Sequence, residues 1–574
     1  MQARQSIHPL TTRTVMQTRW ARLVVPFVSL VLVATACGGA AATPTVAPTA
    51  APSTTAAPTA AAPSAAPTPT AAQATTAPAT PPAATAAPSE TAAVTTAPSS
   101  STESAAPSVT PAPTISIVQP SNLPTGATLI RWYCCLGAGD APVQFAAEKK
   151  VVDDFNASHQ DIQIALEVVP YALARDQLAT EIASGNPPDI VGPVGFGGAN
   201  AFGDQWLDLT QLIKDNKYDL SQYQSGAVDF YKIGSTQVAI PFAIYPSELY
   251  YQRGAFAEIG LQEPPHTYGE KYTVTGAAGT AAFGVAEGTQ VDWNYDTVHT
   301  LAELLTVDKN GNDATQAAFD PTQISTWGFE PQRDDMRGLG AFWGAGALAG
   351  GADGKTVQIP APWATAWKWF YDGLWKDHIL MDYSSYQSTN INPQGYPFCS
   401  DKVAMAENFL WSTYCLGGAG DDWDIAAIPS SNGQTTAAFN ADTFRIMKAS
   451  KHPTEAFKVL AYLLSGDVAN QLLQTYGAMP ARPEQQQAFF DALSAGLQDA
   501  NGNPIKLQKP IDWQVAKDGV RYADNPNFES PMPKYNESLD LINTYGTRWQ
   551  TVGNLKMDDQ ITSLQSELQA IWNK

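Results

Sequence analysis

The residues of this chain best suited to chemistry are aromatic rings standing near Asp and Asn. The sequence carries 15 Trp and 21 Tyr. Such groups can stack on the apolar face of a ring-shaped, hydroxyl-rich molecule while bonding the hydroxyls around its edge. By position the candidates are Trp132, Tyr133 and Asp140, then Phe196, Tyr245, Asp292 with Trp293, Trp343, Trp411, and Asn440 with Asp442. Gly, Asn and Ser flank Trp132, Trp293, Trp343 and Trp411, which suggests loops, so these four are the preferred platforms. Trp367, Trp369 and Phe370 fall in a helical stretch, Trp363 to Trp375, and read as core.

Motifs for other chemistry do not survive their context. Ala349 to Thr356 fits a permissive phosphate-loop pattern, but Thr356-Val357-Gln358-Ile359-Pro360 follows where a helix must open, so a hairpin is expected. Asp308-Lys309-Asn310-Gly311-Asn312-Asp313 imitates the start of a calcium loop, yet Asp313 stands where Gly is required and no Glu closes it. A turn is expected there. No G-x-S-x-G or H-E-x-x-H occurs. A carboxylate pair for glycoside cleavage is a three-dimensional feature that spacing does not reveal. The six histidines are scattered and none lies near a cysteine, so no metal site is expected, and nothing calls for a cofactor. Nucleic acid is an unsuitable partner for a chain of net charge −21.

The amino terminus sets the compartment. Arg13, Arg19 and Arg22 precede an apolar run, Leu23 to Val33, that is too short to span a bilayer, which needs about 20 residues. This reads as an export signal over residues 1–36. Ala34-Thr35-Ala36 then leads to Cys37, which resembles a bacterial lipoprotein processing box with Ala34 where Leu is usual. The resemblance implies that Cys37 becomes the lipidated first residue. From Gly38 to about Thr114 the chain is almost entirely Ala, Pro, Thr and Ser, with Glu90 and Glu103 its only charges. It lacks the apolar groups that offset chain entropy, so residues 37–118 are expected to be a disordered tether. Of the remaining cysteines, Cys399 and Cys415 can close a short loop. Cys134 and Cys135 are adjacent, and a bond between them would be strained, which leaves reduced thiols as the alternative.

The elements that must position the candidates alternate. Ala127 to Cys135 reads as a buried strand, a helix carries Ala147, Val151 and Phe155, and Ile162 to Val168 alternates as a strand. A second helix ends at Gly185 before Pro187-Pro188, and Asp189 to Val191 is a third strand. This order predicts a parallel sheet covered on both faces, with ligand beyond the carboxyl ends of the strands. The loops Gly137–Asp140 and Gly192–Gly198 then fall at the ligand edge.

Here the residues acquire a family likeness. Phe155-Asn156, Val169-Pro170-Tyr171, Ile182 to Val191, Trp206-Leu207-Asp208-Leu209 and Leu249 to Arg253 stand in colinear order with Trp423 to Ala426 and Met479-Pro480-Ala481-Arg482. Together they resemble bacterial extracellular solute-binding proteins of the maltose-binding type. The resemblance implies an α/β, periplasmic-binding-protein-like fold of two lobes: 119–245 with 432–466, and 246–431 with 467–574. It implies crossings near Ile244–Pro246, Ser430–Thr436 and Gly466, with a ligand cleft between lobes that close by hinge bending. It further implies a monomeric, lipid-anchored subunit on the outer face of the membrane. This subunit would bind a sugar or oligosaccharide and deliver it to the permease of an ABC importer. A polyamine, metal chelate or phosphate ester in the same cleft is one alternative, and a surface glycoside hydrolase is another.

Overall fold

A computed structural model describes residues 114–574 apart from 141, 231, 234, 334–338, 341–347, 351–353, 394, 432, 436, 500–501 and 523–531. The export signal, Cys37, the tether as far as residue 113, and Trp343 lie outside the described residues. Among the described residues no helix is long and apolar enough to cross a membrane.

In chain order the strands begin with β1 (Ser116–Val118), β2 (Thr128–Cys134), β3 (Ile162–Val168) and β4 (Ile190–Val194). Next come β5 (Lys232–Ile233), β6 (Thr236–Gln237), β7 (Ile240–Gln252), β8 (Tyr272–Thr273) and β9 (Gln290–Val291). Then follow β10 (Val307–Asp308), β11 (Ile324–Glu330), β12 (Ala349–Gly350) and β13 (Val357–Gln358). The last are β14 (Val403–Phe409), β15 (Trp423–Ala426), β16 (Phe439–Ile446) and β17 (Met479–Pro480). One mixed sheet runs β1-β3-β2-β4-β16-β7-β14-β11-β10, and β15 and β17 also pair with β7.

The expected βαβαβ unit forms. β2 lies parallel to both β3 and β4, with helices Pro142–Ser158 and Tyr171–Ala183 between the strands in sequence. Every residue of β4 and of β14 is buried, as required of strands covered on both faces. Ser116–Val118, at the end of the stretch read as tether, adds an antiparallel edge to β3.

β7 divides the sheet. Its residues Ile240 to Pro246 pair with β16, and Ser247 to Tyr251 pair with β14. β15 also takes Leu249 to Gln252, so the chain recrosses between Ala426 and Phe439. The crossing expected near Gly466 is corrected. Gly466 opens a helix, Gly466–Tyr476, that packs on helix Pro142–Ser158, and β17 then pairs with Ile244 and Ala243. The chain therefore stays with the first half through Pro480. The resemblance implied a crossing here, but Ala469, Leu472, Leu473 and Tyr476 form a buried helical stripe.

The carboxyl-terminal region seats on the second half. Gln508 N donates to Asp421 O at 2.8 Å. Arg253 is buried in an ion pair with Asp424 and donates to the carbonyls of Trp423 at 2.8 Å and Pro510 at 2.9 Å. Cys399 and Cys415 are disulfide-bonded, with Cα atoms 5.7 Å apart, and bracket β14. Closing a loop of this length restricts the unfolded chain by about 3 kcal/mol. The Cys399→Ser/Cys415→Ser double variant should lose about that much in urea unfolding. An unchanged midpoint would mean that the bridge adds nothing.

Candidate functional site

The switch of β7 from one partner to the other gathers side chains from both halves. Tyr245 lies opposite Asn440, and Asp442 opposite Ala243, on β16. The register slips between Asp442 and Thr443, and a bulge of this kind re-aims the side chain beside it. The Asp442 carboxylate accepts from Ala138 N at 3.1 Å and from the Tyr245 hydroxyl at 3.3 Å. Two glycines make room for it. A Cβ on Gly137 would fall 2.7 Å from Asp442 Oδ2, and one on Gly195 would fall 3.0 Å from Oδ1. Both loops predicted for the ligand edge thus meet one acid. Burial raises the Asp442 pKa to about 6, against the lowering effect of its two hydrogen bonds.

Beyond the end of β14, Trp411 stands next to Tyr245, with ring centroids 5.9 Å apart, and packs on Phe409 at 4.4 Å. Trp411 remains 37 % exposed. Of the four preferred platforms it alone, among the described residues, offers an open ring. Trp132 and Trp293 are corrected to core positions. Trp132 donates its indole N–H to Gly192 O at 2.6 Å and is wholly buried beside Phe444. Trp293 donates to Ala427 O at 2.7 Å and packs near Tyr272. Tyr133 is likewise buried, donating to Ala174 O at 2.6 Å, and Phe196 sits edge-on to Phe230. Asp292 pairs with Lys271 on the surface at 2.9 Å.

Asp140 is exposed and accepts from Tyr171 N at 2.8 Å, tying the loop after β2 to the start of helix Tyr171–Ala183. Tyr171 itself is 59 % exposed and follows the carboxyl end of β3. Sequence reasoning passed over it as a family marker. It also missed Tyr535, which opens helix Tyr535–Thr551 near Gly197, in a region without family likeness. At the carboxyl end of β11, Arg333 pairs with Glu330 at 2.6 Å and lies over the Tyr386 ring at 4.0 Å.

Beneath the Asp442 loop, Tyr476 donates to Glu148 at 2.6 Å, and burial raises the Glu148 pKa to about 8. The structure joins Cys134 to Cys135, so the pair is not two free thiols. The motifs set aside stay set aside. β12 and β13 form the expected hairpin, with no helix opening at residue 356. Asp308 spends both oxygens on the N–H groups of Asn310, Asn312 and Asp320 and the Asn312 amide, which makes it a turn anchor.

A mixed α/β body whose two halves share a single strand, with polar and aromatic groups converging at that strand, is a periplasmic-binding-protein-like fold. The chain belongs to the bacterial extracellular solute-binding protein family, whose model matches residues 150–501, more than half of the chain. The family is extracellular and places the chain outside the cytoplasm. Solved structures share the fold. The ABC substrate-binding protein Lmo0181 from Listeria monocytogenes, in complex with cycloalternan, superposes with a TM-score of 0.56 at 18% identity, covering 78% of this chain and 99% of its own. The sugar-binding protein MalE from Xanthomonas citri gives 0.54 at 16% identity, covering 78% and 98%. The maltose/maltodextrin-binding domain MalE from Bdellovibrio bacteriovorus, bound to maltotriose, gives 0.52 at 15%, covering 78% and 100%. No curated protein matches the chain in sequence.

The raised pKa of Asp442 has a thermodynamic sign. The folded protein holds this proton more tightly than the unfolded chain, so stability from this residue falls as pH rises from about 4 to about 6 and is level above that. The loss amounts to about 3 kcal/mol at most. Asp442→Asn should remove that part of the pH slope in urea unfolding between pH 4 and 6.5. An identical slope in the variant would place the titration elsewhere.

Proposed function

We propose that this chain is the substrate-binding subunit of an ABC importer and that its ligand is a sugar or oligosaccharide. The half-exposed indole of Trp411, set beside the Tyr245–Asp442 pair at the strand both halves share, carries this reading. A pyranose face stacks on the indole, and its hydroxyls reach Tyr245 and Asn440. Tyr171 and Asp140 bound the first half of the cleft, and Tyr535 approaches Gly197. Cleft closure about β7 turns occupancy into a shape that a permease can recognise. Carbohydrate ligands fit the company the fold keeps: the Listeria protein holds cycloalternan and the Bdellovibrio domain holds maltotriose.

Cys37 is the lipid attachment point and residues 37–113 the tether, which together hold the binding body at the outer membrane face. The subunit acts as a monomer and without catalysis. Ligand selection rests on stacking and hydrogen bonding alone.

A thermal-shift screen against maltodextrins, other oligosaccharides, polyamines and phosphate esters tests the ligand class, because specific ligands raise the melting midpoint by mass action. The sugars that shift it should be recovered unchanged. Trp411→Ala should then weaken binding by about tenfold or more, equivalent to at least 1.4 kcal/mol, in calorimetry. Shifts with non-sugars only would overturn the sugar reading, and hydrolysis products would overturn the binding-only reading.

A further inference from the structure

We propose that His299, Glu303 and Asp377 form a binding site for a late first-row divalent metal ion of the zinc class, in the second half and apart from the ligand cleft. His299 and Glu303 lie one turn apart on helix Tyr295–Leu305 and so share a face. Asp377 comes from the turn that ends helix Ala361–Trp375, where its backbone N–H donates to Asp372 O at 2.9 Å. The three donor atoms all lie within 4.8 Å of one another.

His299 Nε2 and Asp377 Oδ2 are 3.0 Å apart in a hydrogen bond, a separation close to that of neighbouring ligands bonded at about 2.0–2.1 Å to one metal, so an ion would replace the shared proton. Glu303 Oε2 stands 3.8 Å from the other ring nitrogen, Nδ1, so its side chain must rotate toward Nε2 to supply the third ligand. Two carboxylates balance a divalent charge while the imidazole stays neutral. The carbonyl end of helix Ala361–Trp375 adds negative potential at the same point. One competing cation is present: Lys376 Nζ lies 3.5 Å from Asp377 Oδ1, but its side chain is 73 % exposed and can swing into water. Trp369 packs edge-on to His299, with ring centroids 6.0 Å apart, and fixes the imidazole plane.

The donor set also decides which ion. One imidazole with two carboxylates suits zinc, nickel, cobalt and copper better than calcium or magnesium, which take oxygen donors throughout. The three side chains remain 26 %, 33 % and 15 % exposed, so water completes the coordination. The ion would clamp helix Tyr295–Leu305 to the end of helix Ala361–Trp375.

Titration of the untagged full chain with Co2+ tests the site through its visible absorption and through calorimetry. The expected result is one ion per chain, affinity rising from Mn2+ to Co2+ to Ni2+, and displacement by Zn2+ but not Ca2+. His299→Gln should lower Co2+ affinity at least tenfold and alter the absorption band. Glu303→Gln, a partly exposed helical change that leaves the metal-free melting midpoint in place, should lower it severalfold and decides the matter should His299→Gln fail to fold. Absence of Co2+ binding at micromolar concentration, or unaltered affinity and absorption in Glu303→Gln, overturns the proposal.

Discussion

Everything in this protein hangs on one 13-residue strand. β7 supplies backbone hydrogen bonds to β16 along its first part and to β14 and β15 along its second, so neither half of the sheet is complete without it. Unpaired backbone groups in a buried strand are costly, which forces the two halves to meet along this line. Pro246 sits at the change of partner, opposite Phe439, and Ser247 begins the pairing with Phe409. Proline has no N–H to give a ladder, so it suits the position where one ladder ends and the next begins. The groups proposed to hold ligand cluster there for the same reason. Tyr245 precedes the proline, Asp442 is turned by the neighbouring bulge, and Trp411 follows the end of β14.

Along this seam the structure repeats one device, a tyrosine hydroxyl donated to a buried carboxyl. Tyr245 serves Asp442, Tyr476 serves Glu148, Tyr295 serves Glu407 at 2.7 Å and Tyr250 serves Glu248 at 3.2 Å. Burial pushes each acid up, Glu407 to about 8 and Glu248 well above its ordinary range, while the donated hydrogen bond pulls each down. Burial wins in all four. Glu148 and Glu407, raised to about 8, are mostly protonated at neutral pH, whereas Asp442, at about 6, is mostly ionised there.

The fold was largely legible because its signals are local. The alternation over Ile162–Val168, the Gly-Asn-Pro-Pro stop after the second helix and the blocks around β7 each depend on a few adjacent residues. The third crossing was not legible, since Gly466 looks the same whether it ends a lobe or opens a helix, and only the partner face across from Leu472 and Tyr476 distinguishes them. The His299–Asp377 pairing was hidden for a related reason. The two residues are 78 positions apart, and no spacing rule links a helix face to the cap of a later helix.

The site shows where aromatic reasoning succeeds and fails. Trp132, Trp293 and Trp411 all have small or polar neighbours in sequence, yet two are core and one is open. Trp132 and Trp293 bury the whole ring and donate the indole N–H to the carbonyls of Gly192 and Ala427. Those carbonyls belong to distant segments, so the sequence around each tryptophan carries no trace of them. Position relative to the strand end carries more. Trp132 lies within β2, with its ring committed between layers, whereas Trp411 lies two residues past the end of β14 and keeps part of its ring exposed. Tyr171 follows the end of β3 by three residues and is exposed in the same way. In this fold, then, an aromatic just beyond a carboxyl strand end is left exposed where one within a strand is buried.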